Sequence, residues 1–169
     1  MPCSSSSRAL FSVIMLIIAI ETPSMTLAQT ENFFTFNLVL KDGISGVDGL
    51  DDVFASAVSP DGKHLYAVAG GDNSISLFQR NRTTGFLTFV DKWQVDVASE
   101  SDDHYVVISP DGRHVYVTAE SADSVLVFGR NITSGLLNYV ELIDLGSLGF
   151  GDVRRIEISP DGENLFTTV

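Results

Sequence analysis

An all-β fold assembled from repeated four-stranded units follows from three features of the sequence. The segment Ser109-Pro110-Asp111-Gly112-Arg113-His114-Val115-Tyr116 occurs once before, as Ser59 to Tyr66, and once after, as Ser159 to Phe166, fifty residues apart each time. Over residues 58–91 against 108–141, fifteen of thirty-four positions are identical without a gap. Beyond residue 28 there is no helical periodicity; short β-branched and aromatic runs alternate with turns rich in glycine, asparagine and aspartate. A fixed period of this length marks a repeat architecture, and four short strands per period is the sequence form of a β-propeller blade. Such a sheet has two apolar faces and must pack on its neighbours to bury them.

The N-terminal segment stands apart from the repeats. Arg8 precedes an apolar run, Ala9 to Ile20, which polar residues and then Thr26-Leu27-Ala28 follow. That order is the order of a secretory signal peptide, with cleavage expected after Ala28. The twelve-residue run falls short of the roughly twenty residues a spanning helix needs, and no later segment is long and apolar enough to cross a bilayer. The expected organisation is a signal peptide over 1–28 and a β-propeller fragment over 29–169, in a secreted, extracellular protein. Its repeats run over about 53–102, 103–152 and, in part, 153–169. Cys3, the only cysteine, lies in the expected leader, which leaves the mature chain without disulfides, thiol nucleophiles or thiolate metal sites. The net charge of −12 is unchanged by loss of Arg8 and Glu21. So acidic a surface repels phosphate backbones and excludes nucleic acid as a partner.

Along the chain, Thr30 to Leu40 reads as the last strand of a preceding unit, because Phe34-Thr35-Phe36 resembles Leu87-Thr88-Phe89 and Leu137-Asn138-Tyr139. A loop rich in glycine and aspartate covers Lys41 to Asp52. The first full unit has strands over 54–58, 64–69, 74–79 and 86–90. The second has strands over 105–108, 114–119, 124–128 and 136–142. A third unit begins at Asp152 and contributes two strands. Each Ser-Pro-Asp-Gly is a tight turn, in which proline fixes φ and glycine accepts a positive φ.

The WD signature is absent, the double glycine of kelch repeats occurs only at Gly70-Gly71, and the calcium-binding nonapeptide has the wrong period. Three stretches, Ile108 to Thr118 (ISPDGRHVYVT), Ser124 to Phe128 (SVLVF) and Thr133 to Leu136 (TSGL), together with the earlier copy Val58 to Leu87, resemble the repeat of the lactonase-like, YVTN-type propellers. Gly46 to Leu50 (GVDGL) also resembles loops between such repeats. The resemblance covers roughly residues 34–169 and implies blades of a seven-bladed ring. Closed rings have about 4–8 blades, so the repeats present are expected to be part of a longer ring, with assembly of several chains or an open arc as alternatives.

Candidate site residues lie where loops enter the innermost strands. Five positions before each turn serine stand Phe54, His104 and Arg154; the resemblance implies a histidine there, matched by His104 alone. His104 with Arg154 and Glu157 are the candidate catalytic groups, a general base and an electrostatic clamp for an ester-like carbonyl, against solvated loop and channel residues without chemistry. Seven positions before each serine stand Asp52, Asp102 and Asp152, candidates for a cation or, more simply, turn caps. His64 and His114 share a position after the turn, where a structural role is expected, since equivalent side chains of adjacent blades stand far apart. Asn81-Arg82-Thr83 and Asn131-Ile132-Thr133 are glycosylation sequons in exposed turns. No cofactor is expected. The function expected first is a secreted binding platform for a protein or small molecule at the propeller face. The alternative, implied by the resemblance, is a lactone hydrolase similar to 6-phosphogluconolactonase.

Overall fold

A computed structural model of the chain describes residues 15–20, 34–95 and 104–168. Two four-stranded antiparallel sheets dominate it. The first blade orders β3 (Val53–Val58), β4 (His64–Ala69), β5 (Ser74–Arg80) and β6 (Leu87–Gln94) in sequence. The second orders β7 (Val106–Ile108), β8 (His114–Ala119), β9 (Ser124–Arg130) and β10 (Leu137–Asp144) in the same way. A third sheet pairs β11 (Ile156–Ile158) with β12 (Leu165–Thr167). The expected four-strand meander is therefore present twice, and its first half a third time. The expected strand bounds differ from the observed ones mainly at the third and fourth strands, which run on by up to four residues. Most residues of those extensions are polar, with Trp93 and Ile143 the large apolar exceptions, and backbone pairing carries them.

The apolar run of the expected leader contributes β1 (Met15–Ile20), paired antiparallel with β2 (Phe34–Leu40). This pairing is available only to a chain that keeps its first twenty-eight residues. The remainder of the expected leader lies outside the described residues. No helix among the described residues is long and apolar enough to cross a membrane.

The repeated Ser-Pro-Asp-Gly turns are self-contained. Ser59 Oγ donates to Asp61 Oδ1 at 2.5 Å, the Lys63 amide reaches the same carboxylate at 3.1 Å, and the His64 amide donates to Ser59 Oγ at 3.0 Å. The Gly62 amide closes on Ser59 O at 2.7 Å, with Gly62 at φ 69°. The set recurs at Ser109–His114 and Ser159–Asn164. The serine, aspartate and glycine of the motif each satisfy a polar group that the reversal would otherwise leave unpaired.

Packing between blades forms the core. Tyr66, Val68, Ile75 and Leu77 of the first blade bury against Val106, Val115, Val117, Leu126 and Phe128 of the second. Trp93, on the outermost strand of the first blade, meets Phe128 edge-on at 4.7 Å and stacks on Tyr139 at 6.3 Å. The opposite face of the first blade is covered by its own loop, through Val47 and Leu50 against Leu65, Ala67, Phe78 and Leu87. Val125, Val153 and Ile156 join the second blade to the third.

Candidate functional sites at the two ends of the blades

Antiparallel order places alternate loops at opposite ends of every blade. One end gathers the loops entering each innermost strand and the turns between second and third strands. The other end gathers the Ser-Pro-Asp-Gly turns and the Asn-x-Thr turns. The expected site residues divide between these ends.

At the first end, His104 is fully buried. Its Nδ1 lies 2.9 Å from the Thr118 carbonyl and its Nε2 3.2 Å from Asn73 Oδ1. A carbonyl only accepts, so Nδ1 carries a proton. Asn73 belongs to the first blade and Thr118 to the second, so the imidazole bridges the two blades with both ring nitrogens engaged. Arg154 instead lies in the open, its Nε 3.0 Å from Glu120 Oε1 of the second blade. Glu157 is exposed and lines a separate depression with Arg155, Phe166 and Thr167. The structure thus does not bring His104, Arg154 and Glu157 together. The reason is geometric: His104 and Arg154 lie in the loops before β7 and β11, which belong to successive blades, and Glu157 lies on β11 itself. Arg154 alone of the three presents charge at the loop end.

Asp52 and Asp152 both adopt left-handed backbone at φ 57°, a conformation asparagine and aspartate tolerate. The Asp52 carbonyl accepts from the Gly70 amide at 2.9 Å, and the Asp152 amide donates to Asp123 Oδ1 at 2.7 Å. Both therefore act in loop geometry. Asp102 lies outside the described residues. The acidic groups that do converge are others: single carboxylate oxygens of Asp42, Asp48 and Asp72 lie within 4.8 Å of one another. Lys92 Nζ sits 2.8 Å from Asp48, and the Leu50 and Asp51 amides donate to Asp42 and Asp72 at 3.1 and 2.8 Å. Burial, then the neighbouring carboxylates Asp42 and Asp48, push the Asp72 carboxyl up, while amide donation from Asp51 opposes the rise.

At the second end, Asn81 and Asn131 are exposed. Asn81 Oδ1 accepts the Thr83 and Thr84 amides at 2.9 and 3.0 Å, and Asn131 Oδ1 accepts those of Thr133 and Ser134 at 2.9 and 3.1 Å. These bonds engage only the oxygen, so the capping role is compatible with a glycan on Nδ2.

The same end holds a network that reading the sequence missed. Arg130, ending β9, inserts between the blades with its side chain 1% exposed. Its Nε donates to Tyr66 Oη at 3.0 Å, Nη1 to the Gly112 carbonyl at 2.8 Å, and Nη2 to both Asp61 carboxylate oxygens at 3.3 Å. Nη2 also lies 2.6 Å from His64 Nδ1. A guanidinium only donates, so His64 is neutral at Nδ1 and holds its proton on Nε2. Tyr66 Oη in turn donates to the Gly135 carbonyl at 2.5 Å. Gly135 must be glycine: at φ 80°, a Cβ there would stand 2.6 Å from the His64 ring. Burial alone would raise the Asp61 carboxyl, but hydrogen bonds from Ser59, the Lys63 amide and Arg130 outweigh it and hold it at about 2. Burial, then the Arg130 charge, lowers His64, and burial pushes Tyr66 up to about 12. The signal was present: Arg80 and Arg130 recur at the same phase as the aspartate, histidine and tyrosine.

Meandering four-stranded sheets that repeat every fifty residues and pack face to face define the blades of a β-propeller. The chain belongs to the seven-bladed β-propeller lactonase family, whose model matches residues 39–150. No curated protein matches the chain. Among solved structures, a candidate 6-phosphogluconolactonase from Bacteroides fragilis superposes with a TM-score of 0.67 at 22% identity, over 81% of this chain and 36% of that one. The periplasmic gluconolactonase of Pseudomonas aeruginosa gives 0.62 at 21% identity, over 92% and 37%. A candidate 6-phosphogluconolactonase from Bacteroides uniformis gives 0.63 at 20% identity, over 82% and 41%. The chain thus spans little more than a third of the length of these structures.

Proposed function

We propose that these blades belong to a secreted propeller that hydrolyses a lactone, with the substrate at the end where loops enter the innermost strands. The family match over residues 39–150 is the observation that carries this reading. The periplasmic gluconolactonase among the similar folds is consistent with a location outside the cytoplasm. Within the chain, Arg154 supplies the positive group at that end, with its side chain 59% exposed and oriented by Glu120. In this reading its free guanidinium nitrogens hold the lactone carbonyl oxygen and the oxyanion that forms there. Glu120 takes a proton from the attacking water. The water oxygen bonds to the carbonyl carbon, the ring C–O bond breaks, and the leaving alkoxide takes the proton back from Glu120, giving the hydroxy acid and restoring the carboxylate.

The test is hydrolysis of glucono-δ-lactone and its 6-phosphate by the protein secreted from its source. Arg154→Ala is expected to lower kcat about 100-fold or more, the scale of losing one oxyanion donor, with the melting temperature unchanged. A protein that binds the lactone yet leaves it at its spontaneous rate would replace this reading with that of a non-catalytic binding platform. The burial of His104, which removes the chain's most obvious general base, is the observation favouring that second reading.

A further inference from the structure

The turns joining β5 to β6 and β9 to β10 repeat a side chain that the fold does not use. They read Asn81-Arg82-Thr83-Thr84-Gly85 and Asn131-Ile132-Thr133-Ser134-Gly135, fifty residues apart. The glycine amide closes on the asparagine carbonyl at 2.8 Å in both copies, with the glycine at φ 78° and 80°. The asparagine amide donates to Phe86 O at 2.8 Å and to Leu136 O at 3.0 Å, so each turn ends in a bulge built on a left-handed glycine. The hydroxyl of Thr84 or Ser134 accepts the Phe86 or Leu136 amide at 3.3 Å. The second position changes from Arg82 to Ile132 and the turn stays the same. The third position contributes only its amide, which donates to the asparagine Oδ1. Any residue except proline supplies that amide.

Turn chemistry thus accounts for the asparagine and the glycine, but not for a threonine at both 83 and 133. A hydroxyl side chain two residues beyond an asparagine, with a residue other than proline between, is what a glycan acceptor requires. The geometry meets the other requirements. Asn81, Thr83, Asn131 and Thr133 are all exposed. The hydrogen bonds that hold each turn fall on Oδ1, so a substituent on Nδ2 leaves the cap in place.

We propose that Asn81 and Asn131 are both N-glycosylation sites. The donor is an oligosaccharide on a lipid pyrophosphate in the secretory lumen. The sugar C1–O bond breaks, the pyrophosphate leaves with the bonding pair, a C1–Nδ2 bond forms, and Nδ2 gives up one proton to the medium. The two glycans stand at the same end of successive blades. There they lie beside the exposed Phe86, Ile132 and Leu136 and leave open the end where loops enter the innermost strands. The inference needs entry into a secretory lumen, and does not depend on lactone hydrolysis.

The test expresses the full chain, with its own leader, in cultured mammalian cells. The secreted protein is treated with peptide-N-glycosidase F in heavy-oxygen water, which turns a glycosylated asparagine into a labelled aspartate that peptide mass spectrometry reads. Label is expected at both 81 and 131. Thr83→Ala and Thr133→Ala are each expected to lower the label at their own site at least tenfold, and the corresponding serine variants to keep it. In unglycosylated chain made in bacteria, the alanine variants are expected to melt within about 3 °C of wild type, as exposed substitutions do. Label at one asparagine or at neither overturns the proposal, as does label that survives the alanine substitutions. A larger fall in melting temperature would assign the threonines to the fold and overturn it too. So would a chain retained in the cytosol, which leaves lactone hydrolysis still to be assayed on the unglycosylated protein.

Discussion

Arg130 and Arg80 occupy the same repeat position and meet opposite environments, which makes them a controlled pair. Arg130 is buried among Asp61, His64 and Tyr66, whereas Arg80 is half-buried and its Nη1 reaches the Gly62 carbonyl at 3.2 Å. Removing one partner of a buried ion pair strands the other and costs about 3–5 kcal/mol; partial exposure of Asp61 puts the expected loss at the lower end, about 3 kcal/mol for Arg130→Leu. Arg80→Leu is expected to stay within about 0.5 kcal/mol of wild type, as surface substitutions do. Urea midpoints of the two variants decide it, and equal losses would show that the network does not hold the blades together. Arg130→Lys keeps the charge but has no planar fork to serve tyrosine, carbonyl and carboxylate at once, so it should rescue little of the loss.

Blade against blade, the same groups make the interface sensitive to pH. His64 is held below its ordinary 6.5 in the fold, so as pH falls past 6.5 the unfolded chain takes up a proton that the folded chain refuses, and stability drops. Asp61 extends the loss: its folded value of about 2 against an ordinary 3.8 withdraws a further contribution as pH falls from 3.8 through 2. Tyr66 acts at the alkaline side, where its rise from 10.0 to about 12 means that only the unfolded chain ionises in that interval. Urea midpoints against pH should therefore fall on both sides of a plateau, and Tyr66→Phe should reduce the alkaline limb, to which the raised Tyr116 and Lys92 also contribute. A profile flat from pH 6.5 to 4 would contradict the protonation states assigned to the network. Much of this element-level structure was legible in the sequence. β4 and β8 follow their expected ranges, because a Ser-Pro-Asp-Gly turn fixes the start of each and the turns at 70–73 and 120–123 fix the end. The expected structural role of His64 also agrees with its place beside Arg130. What was not legible was the pairing of residues 64 to 69 positions apart, because periodicity gives each residue a phase within its blade but not the neighbour it faces. His104 shows the same gap: its phase put it at the channel rim, and only the packing of Asn73 against it shows that it bridges the sheets.

Across the whole molecule, one repeat position carries the contact between blades: Tyr66 is fully buried where the second blade packs on the first. At the other extremity β1 pairs with β2, and removal of a leader after Ala28 would take β1 away. N-terminal sequencing of the secreted protein is expected to begin at Gln29; a start within the first few residues would instead mean that β1 is retained and the leader reading fails. The arginine latch also has a direction, since the guanidinium comes from the second blade and its Asp61, His64 and Tyr66 partners from the first. An interface of that kind is heterologous. Two molecules meeting through it cannot be related by a two-fold axis, which would set donor against donor. Repetition of the contact leads either to a cyclic ring or to an unending filament, and the rotation between successive blades alone chooses between them.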